Sequence, residues 1–217
     1  MTRMLPLRLL VYDRTCKGQH GLPGLSAAWA AGAWLYRGRG LLHAHYGAAS
    51  WSDALHFLAT EQPERPIAEV QFWGHGKWGD ARIASDVLDE RALLRQHGLH
   101  PALLRLRARL APGALWWFRT CETFGAERGV RFARAWSDFL GARAAGHTYI
   151  IGFWQSGLHV LEAGATPDWS ADEGLARGSA RAPEQALWSK PGEPNTISCL
   201  QGVLPENLAA AHARSSA

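Results

Sequence analysis

The stretch VQFWGHG, residues Val70–Gly76, is an apolar run that ends in a histidine between two glycines. A second stretch of the same kind, ALWWFRTC, covers residues Ala114–Cys121 and ends in a cysteine. A short apolar run without alternation is typical of a strand that is buried on both faces of a parallel sheet. We therefore predict two buried strands, each of which presents one reactive side chain, His75 or Cys121, just after its carboxyl end.

The chain around these two runs alternates between apolar runs of strand length and segments with helical spacing of apolar residues. This alternation predicts a doubly wound α/β fold with a mostly parallel sheet, because parallel strands need crossovers that pack onto the sheet. The predicted strands are Leu7–Asp13, Leu41–Tyr46, one that begins at Ile67, Ala114–Arg119 and His147–Phe153. The predicted helices are Leu25–Tyr36, one capped by Ser50, Asp86–Gln96, one with Pro101 in its first turn, and Ala126–Leu140.

The length of 217 residues predicts a single domain, because it lies within the size range of one hydrophobic core. We expect residues 1–163 to form the α/β domain. Prolines and glycines interrupt the periodicity of residues 164–217, which predicts an irregular C-terminal extension packed on the same domain. Within that extension, only Pro205–Arg214 has the spacing of a short helix.

The net charge of +4 does not predict a nucleic-acid partner, because 23 Lys and Arg residues are dispersed and opposed by 19 Asp and Glu residues. The basic residues Arg105, Arg107 and Arg109 fit the solvated side of a leucine-bearing helix. We expect no membrane partner, since Pro6 and Arg8 interrupt the first residues, where a secretory signal would lie. A cytoplasmic location is expected, and three widely spaced cysteines also favour a reducing compartment.

His75 and Cys121 have the chemistry of a catalytic pair. Side chains at the carboxyl ends of parallel strands converge when the strands are neighbours, and the chain between these two residues is long enough for a crossover. A thiol is only slightly ionised at neutral pH, and a nearby imidazole promotes its deprotonation and then protonates a leaving amine. The amides of Gly76 and Cys121 would together hold the oxyanion.

The order of these motifs resembles that of the caspase-like (clan CD) cysteine peptidases, and in particular of their bacterial CHAT-domain branch. The similar segment runs from Ile67 to Trp154. Within it, Gly74–Gly76 matches the histidine motif, Cys121 followed by Gly125 resembles the cysteine motif, and Ala145–Trp154 resembles the next strand.

The resemblance implies a caspase-like fold in which His75 is the general acid and base and Cys121 is the nucleophile. It further implies a cysteine endopeptidase, a hydrolase that acts on a protein or peptide substrate without a cofactor or metal. It leaves room for a partner protein that activates the enzyme.

The residues around the cysteine, RTCET at Arg119–Thr123, differ from the Gln-Ala-Cys-Arg/Gln-Gly motif of caspases proper. In several relatives, the residue two before the cysteine lines the pocket for the side chain that precedes the scissile bond. Arg119 would then favour an acidic residue by charge and bidentate hydrogen bonding. Glu122 would instead bind arginine or lysine, or neutralise Arg119. The predicted pocket wall is Trp154, Gln155 and Ser156.

Other functions are compatible with the same residues. The chain would be a binding or adaptor domain if the fold is kept and catalysis is lost. A phosphate or nucleotide site would use the glycine turns, although no Walker or dinucleotide-binding motif is present. A zinc hydrolase would use His75, Cys121 and another histidine, and a pair such as His43 and His45 lacks a third ligand.

Most of the eleven tryptophans are expected to pack in the core rather than bind substrate. Trp116 and Trp117 must face opposite sides of their strand, because strand side chains alternate.

Overall fold

A computed structural model describes residues 5–18 and 23–210, the last two without their side chains. The first four residues, part of the loop between the first strand and the first helix, and the end of the predicted Pro205–Arg214 helix lie outside this description. The strands are β1 (Leu7–Asp13), β2 (Ala44–Ala48), β3 (Ile67–Trp73), β4 (His75–Lys77), β5 (Asp80–Ile83), β6 (Asp86–Asp89), β7 (Leu110–Arg119), β8 (Arg143–His147), β9 (Trp154–Gln155), β10 (Leu158–Leu161), β11 (Leu175–Gly178), β12 (Pro183–Ala186) and β13 (Ile197–Ser198).

The helices begin and end where the local sequence provides caps and breaks. The Ser50 side chain accepts a hydrogen bond from the Asp53 amide at the start of the second helix, as its sequence predicts. Pro101 lies in the first turn of the third helix, and Gly141 ends the fourth with φ of +63°. The helices are α1 (Leu25–Gly38), α2 (Trp51–Thr60), α3 (His100–Arg109), α4 (Ala126–Leu140) and α5 (Glu206–Ala210), with a 3-10 turn at Glu90–Leu93.

A mostly parallel sheet forms the centre of the protein. In the described part of the chain, it contains six strands in the order β10-β8-β7-β3-β1-β2. Neighbouring strands from β8 to β2 run parallel, and β10 is antiparallel to β8. The predicted α/β class with a mostly parallel sheet is confirmed.

Apolar side chains pack on both faces of this sheet. On one face, Phe72 and Trp116 belong to a large cluster with residues of α2, α3 and α4. On the other, Leu10 and Trp73 pack with α1, while Trp117 lies in a third cluster near β10. Trp116 and Trp117 are both buried and face opposite sides, as predicted.

Three predicted elements are wrong in position or type. Asp86–Gln96 is not a helix, because Asp86–Asp89 pairs with β5 in an antiparallel hairpin before the 3-10 turn. The strand predicted at His147–Phe153 lies at Arg143–His147 instead. A Cβ at Gly146 would lie 2.7 Å from the Phe124 ring, so this strand requires small residues in place of the usual branched ones. The second strand starts at Ala44, three positions after Leu41.

Beyond residue 163, the described chain contains short strands as well as irregular segments. β11 and β12 form a hairpin, and β13 pairs antiparallel with β9. α5 starts one residue after Pro205. Within residues 5–18 and 23–210, no helix is long and apolar enough to cross a membrane.

Candidate active site

The strands that lead to His75 and Cys121 are neighbours in the sheet. β3 and β7 pair in parallel, with Phe72 opposite Phe118 and Trp73 opposite Arg119. Their carboxyl ends therefore lie at the same edge, which confirms the predicted adjacency of the two strands. This edge is where open parallel sheets bind their ligands.

A hairpin fixes the histidine segment onto the cysteine turn. After β3, the chain turns into β4 and β5, and the Gly79 amide donates to the Thr123 carbonyl (2.9 Å). The Thr123 hydroxyl in turn donates to the Asp80 carbonyl (3.0 Å). A Cβ at Gly76 would overlap Thr123 Oγ1 and lie 2.9 Å from the Cys121 carbonyl oxygen. The backbones that carry His75 and Cys121 are therefore in contact, and this contact requires a glycine.

The His75 side chain contacts a thiol that the sequence interpretation did not consider. His75 is exposed, and its Nε2 lies 3.4 Å from Cys16 Sγ. The Trp29 ring packs against the imidazole edge-on, with 5.7 Å between ring centroids. Among the hydrogen bonds of the described residues, none joins His75 to Cys121. Cys16 follows β1, which is the other neighbour of β3, so the argument from carboxyl ends of strands would have found it.

The Cys121 thiol lies in a less accessible position. Its Sγ is 3.9 Å from the Ile151 carbonyl oxygen, to which it donates. Burial, together with the neighbouring Glu122 carboxylate, raises the pKa of Cys121 to about 11, although the hydrogen bond to Ile151 acts in the opposite direction. The side chain is therefore a protonated thiol at neutral pH in this conformation.

Glu122 is an unusual carboxylate next to the proposed nucleophile. Its φ of +28° is rare for a residue with a side chain, and its Oε2 has no hydrogen-bond partner among the described residues. Burial raises the pKa of Glu122 to about 7, with Asp80 adding to the increase and Lys77 and Arg82 opposing it. Glu122 therefore changes charge near neutral pH, within one residue of the thiol.

Arg119 is a buried cation whose partners are all neutral. Only 4% of the residue is exposed. Its Nε and Nη2 donate to Gln155 Oε1 (3.0 and 2.7 Å), and its Nη1 donates to the Tyr36 hydroxyl (2.7 Å). The guanidinium carbon lies 4.7 Å from the centre of the Trp117 ring. Burial lowers the pKa of Arg119. No ion pair joins Arg119 to Glu122 or to any other described carboxylate.

The residues predicted to form the pocket wall occupy different environments. Trp154 is 39% exposed and packs edge-on against Phe153. Gln155 is buried, where it orients Arg119. Ser156 is also buried, and its hydroxyl bonds with Lys190 and Thr196, so it does not face an open surface.

The histidines considered as metal ligands have other partners. His43 Nδ1 accepts from the Arg8 amide (3.0 Å), and His45 packs edge-on against Trp34. Over the described residues, no group of three or more His, Cys, Asp or Glu side chains is arranged to hold a metal ion.

Comparison with known proteins gives no match: no family model fits the chain, and no curated protein is significantly similar to it.

Proposed function

We propose that the protein is a caspase-like cysteine peptidase that cleaves peptide bonds in a protein or peptide substrate. The observation that carries this proposal is the contact between the β4–β5 hairpin and the cysteine turn, which brings the backbones of Gly76 and Cys121 together. A histidine, a cysteine and main-chain amides at the carboxyl edge of a parallel sheet are the groups that acyl transfer needs.

The reaction begins when the His75 imidazole takes the proton from the Cys121 thiol. The thiolate then attacks the carbonyl carbon of the peptide bond, and the amides of Gly76 and Cys121 stabilise the oxyanion. The protonated imidazole gives its proton to the leaving amine as the C–N bond breaks, which leaves a thioester. A water molecule, deprotonated by His75, hydrolyses the thioester and regenerates the thiol. The first step requires the imidazole to leave Cys16 and turn to Cys121.

Arg119 supports a preference for an acidic residue before the scissile bond. It is two positions before Cys121, and its charge is balanced by neutral oxygens only. A carboxylate would form charge-assisted hydrogen bonds that are roughly twice as strong as those between neutral groups. Glu122 does not contact Arg119, so it leaves this charge available.

The test is cleavage of a peptide library by the full chain, followed by mass spectrometry of the products. The library pairs peptides that differ only by Asp or Asn, and by Glu or Gln, at the residue before the scissile bond. We expect cleavage after acidic residues, which Cys121→Ala and His75→Ala abolish while circular dichroism remains unchanged. His56→Ala, at an exposed histidine of α2, is the matched control and should cleave normally. Full activity in Cys121→Ala or in His75→Ala would refute the assignment.

A binding domain without catalysis is the second candidate, and the state of the thiol favours it. The pKa of Cys121 is raised to about 11, and His75 contacts Cys16. If the native chain cleaves no peptide, and a peptide-based thiol-reactive probe does not label Cys121, the adaptor function replaces the peptidase.

A further inference from the structure

A segment near the end of the described chain lies across the buried arginine. Residues 197–202, which we call the strap, begin with β13, whose Ser198 pairs with Trp154 of β9. The Cys199 amide continues this pairing by donating to the Phe153 carbonyl (2.8 Å). Beyond this pairing the strap turns, and the Gln201 amide donates to the Ser198 carbonyl (3.1 Å).

Buried side chains hold the strap by its main-chain carbonyls. Four residues from four different elements, β1, α1, β3 and β7, donate to these oxygens. The Cys199 carbonyl accepts from the Tyr36 hydroxyl (2.7 Å) and Arg119 Nη2 (3.2 Å), the Gln201 carbonyl from Arg119 Nη1 (3.1 Å), and the Gly202 carbonyl from Gln71 Nε2 (3.1 Å) and Arg8 Nη2 (3.2 Å).

The side chains of the strap contribute less than its backbone. Leu200 is 50% exposed, and among the strap's side chains only Ile197 belongs to a buried apolar cluster. Recognition through carbonyls does not depend on sequence, because every peptide backbone presents the same groups. The same donors would accept another chain.

The charge of Arg119 indicates which side chain that other chain carries. The strap offers this cation only carbonyl dipoles, and Gln155 offers an amide oxygen. A buried charge is better compensated by an opposite charge in hydrogen-bond contact than by neutral acceptors. A peptide with a carboxylate at this point therefore has an interaction that the strap lacks.

We propose that Tyr36, Gln71, Arg119 and Gln155 line a binding groove for a peptide with an Asp or Glu side chain, and that the strap occupies this groove in cis. The inference rests on the proposed function in one respect: a peptide in the groove is positioned for cleavage because Arg119 precedes Cys121 by two residues. Because the strap is part of the same chain, it competes with a free peptide for the groove at an effective concentration in roughly the millimolar range. Release of the strap therefore increases the apparent affinity for peptide.

The test displaces the strap without substituting any residue that lines the groove. A Cβ at Gly202 would lie 2.6 Å from Leu41 Cδ1 and 2.9 Å from the Tyr36 ring, so Gly202→Val pushes the strap outward. Gly192 has nothing within 4 Å of the equivalent position, and Gly192→Val is the matched control. Both changes are made in the full chain with Cys121→Ala, so that binding is measured without turnover.

Binding is followed by fluorescence anisotropy with fluorescein-labelled Ala-Ala-Ala-Asp amide and its Asn counterpart. We expect Gly202→Val to bind the Asp peptide at least about tenfold more tightly than the parent and Gly192→Val do, because the cis competitor is removed. Equal affinity in the three folded chains overturns the proposal, as does equal affinity of Gly202→Val for the Asp and Asn peptides.

A second measurement uses the parent chain and does not depend on how Gly202→Val folds. Hydrogen exchange at the Cys199 amide should accelerate when saturating Asp peptide displaces the strap. Unchanged or slower exchange in the presence of bound peptide overturns the proposal. A different result would refute the proposed function. If the Asp peptide binds tightly but no chain with an intact Cys121 cleaves it, the peptidase assignment is wrong and the binding groove still stands. If the peptide is cleaved and the strap is not displaced, the groove proposal is wrong and the peptidase assignment still stands.

Discussion

Glu122 should control the reactivity of Cys121, and Glu122→Gln tests this directly. The variant removes the negative charge and keeps the side-chain shape. A like charge a few ångströms away costs a thiolate on the order of 1–3 kcal/mol at the effective dielectric of a protein. Each 1.36 kcal/mol corresponds to one pKa unit, so roughly a tenfold increase in the thiolate fraction is expected. Burial, the larger cause of the raised pKa of Cys121, stays in place.

The effect should depend on pH in a way that identifies Glu122 as its source. The pKa of Glu122 is raised to about 7, so the wild-type side chain is itself neutral well below that pH. Modification of Cys121 by methyl methanethiosulfonate, quantified on the Cys121 peptide by mass spectrometry, should therefore proceed at similar rates in both proteins at acidic pH. Above neutrality, Glu122→Gln should react roughly tenfold faster. The exposed Glu90 provides the matched control, Glu90→Gln, with a wild-type profile.

Protein stability gives an independent measurement of the same carboxylate. A group whose folded-state pKa is raised stabilises the protein below its unfolded pKa, and this contribution is lost as the pH rises through the folded pKa. The pKa of Glu122 rises from an ordinary value of 4.5 to about 7 in the folded protein, so the free energy of unfolding falls by about 3 kcal/mol as the pH rises through this range. The free energy of unfolding of Glu122→Gln, relative to wild type, should increase between these two pH values. A rate ratio and a stability difference that do not change with pH would refute the reasoning.

Two further predictions concern the neighbours of the proposed pair. Cys16 should react with iodoacetamide faster than Cys121, because Cys16 contacts the His75 imidazole and the pKa of Cys121 is raised to about 11. His75→Ala should slow the reaction of Cys16 about three- to tenfold. An unchanged rate at Cys16 would show that its contact with His75 has no chemical effect. Gly76→Ala should lower the free energy of unfolding by about 1–3 kcal/mol in urea denaturation, because the new Cβ meets Thr123 and the Cys121 carbonyl. The control Gly192→Ala, whose new Cβ has no atom of the described residues within 4 Å, should leave the free energy of unfolding nearly unchanged. Equal urea midpoints for the two variants would contradict the close packing at Gly76.

The elements predicted well from the sequence are those whose signals are local. α4 has the predicted bounds because its apolar stripe is regular and Gly141 ends it. α2 begins as predicted because the Ser50 cap needs only the next few residues. Asp86–Asp89 is a strand because it pairs with β5 in a hairpin, and the helical spacing of its apolar residues does not reveal this pairing.

The sequence was sufficient to predict the strands that form the candidate site, but not the contacts that its side chains make. The adjacency of β3 and β7 follows from chain length and crossover rules, which the sequence contains. The contact of His75 with Cys16 and the coverage of Arg119 depend on how loops fold back over the sheet edge. Arg119 was predicted as a pocket residue from its position two residues before Cys121. The segment that covers Arg119 lies about eighty positions further along the chain, so no local sequence pattern predicts this coverage.

Three properties of the site point to the same resting state under the proposed function. The Cys121 thiol is protonated at neutral pH, the His75 imidazole contacts Cys16, and the strap covers Arg119. An acidic peptide that displaces the strap would pair with Arg119 and place its carbonyl near Cys121, so that substrate binding and release of inhibition are one step. The affinity of the peptide is then reduced by the cost of opening, and only substrates with a carboxylate recover that cost through Arg119. Opening the groove costs the same for every peptide, so Gly202→Val should bind acidic and neutral peptides more tightly by the same factor and keep the preference for acidic residues.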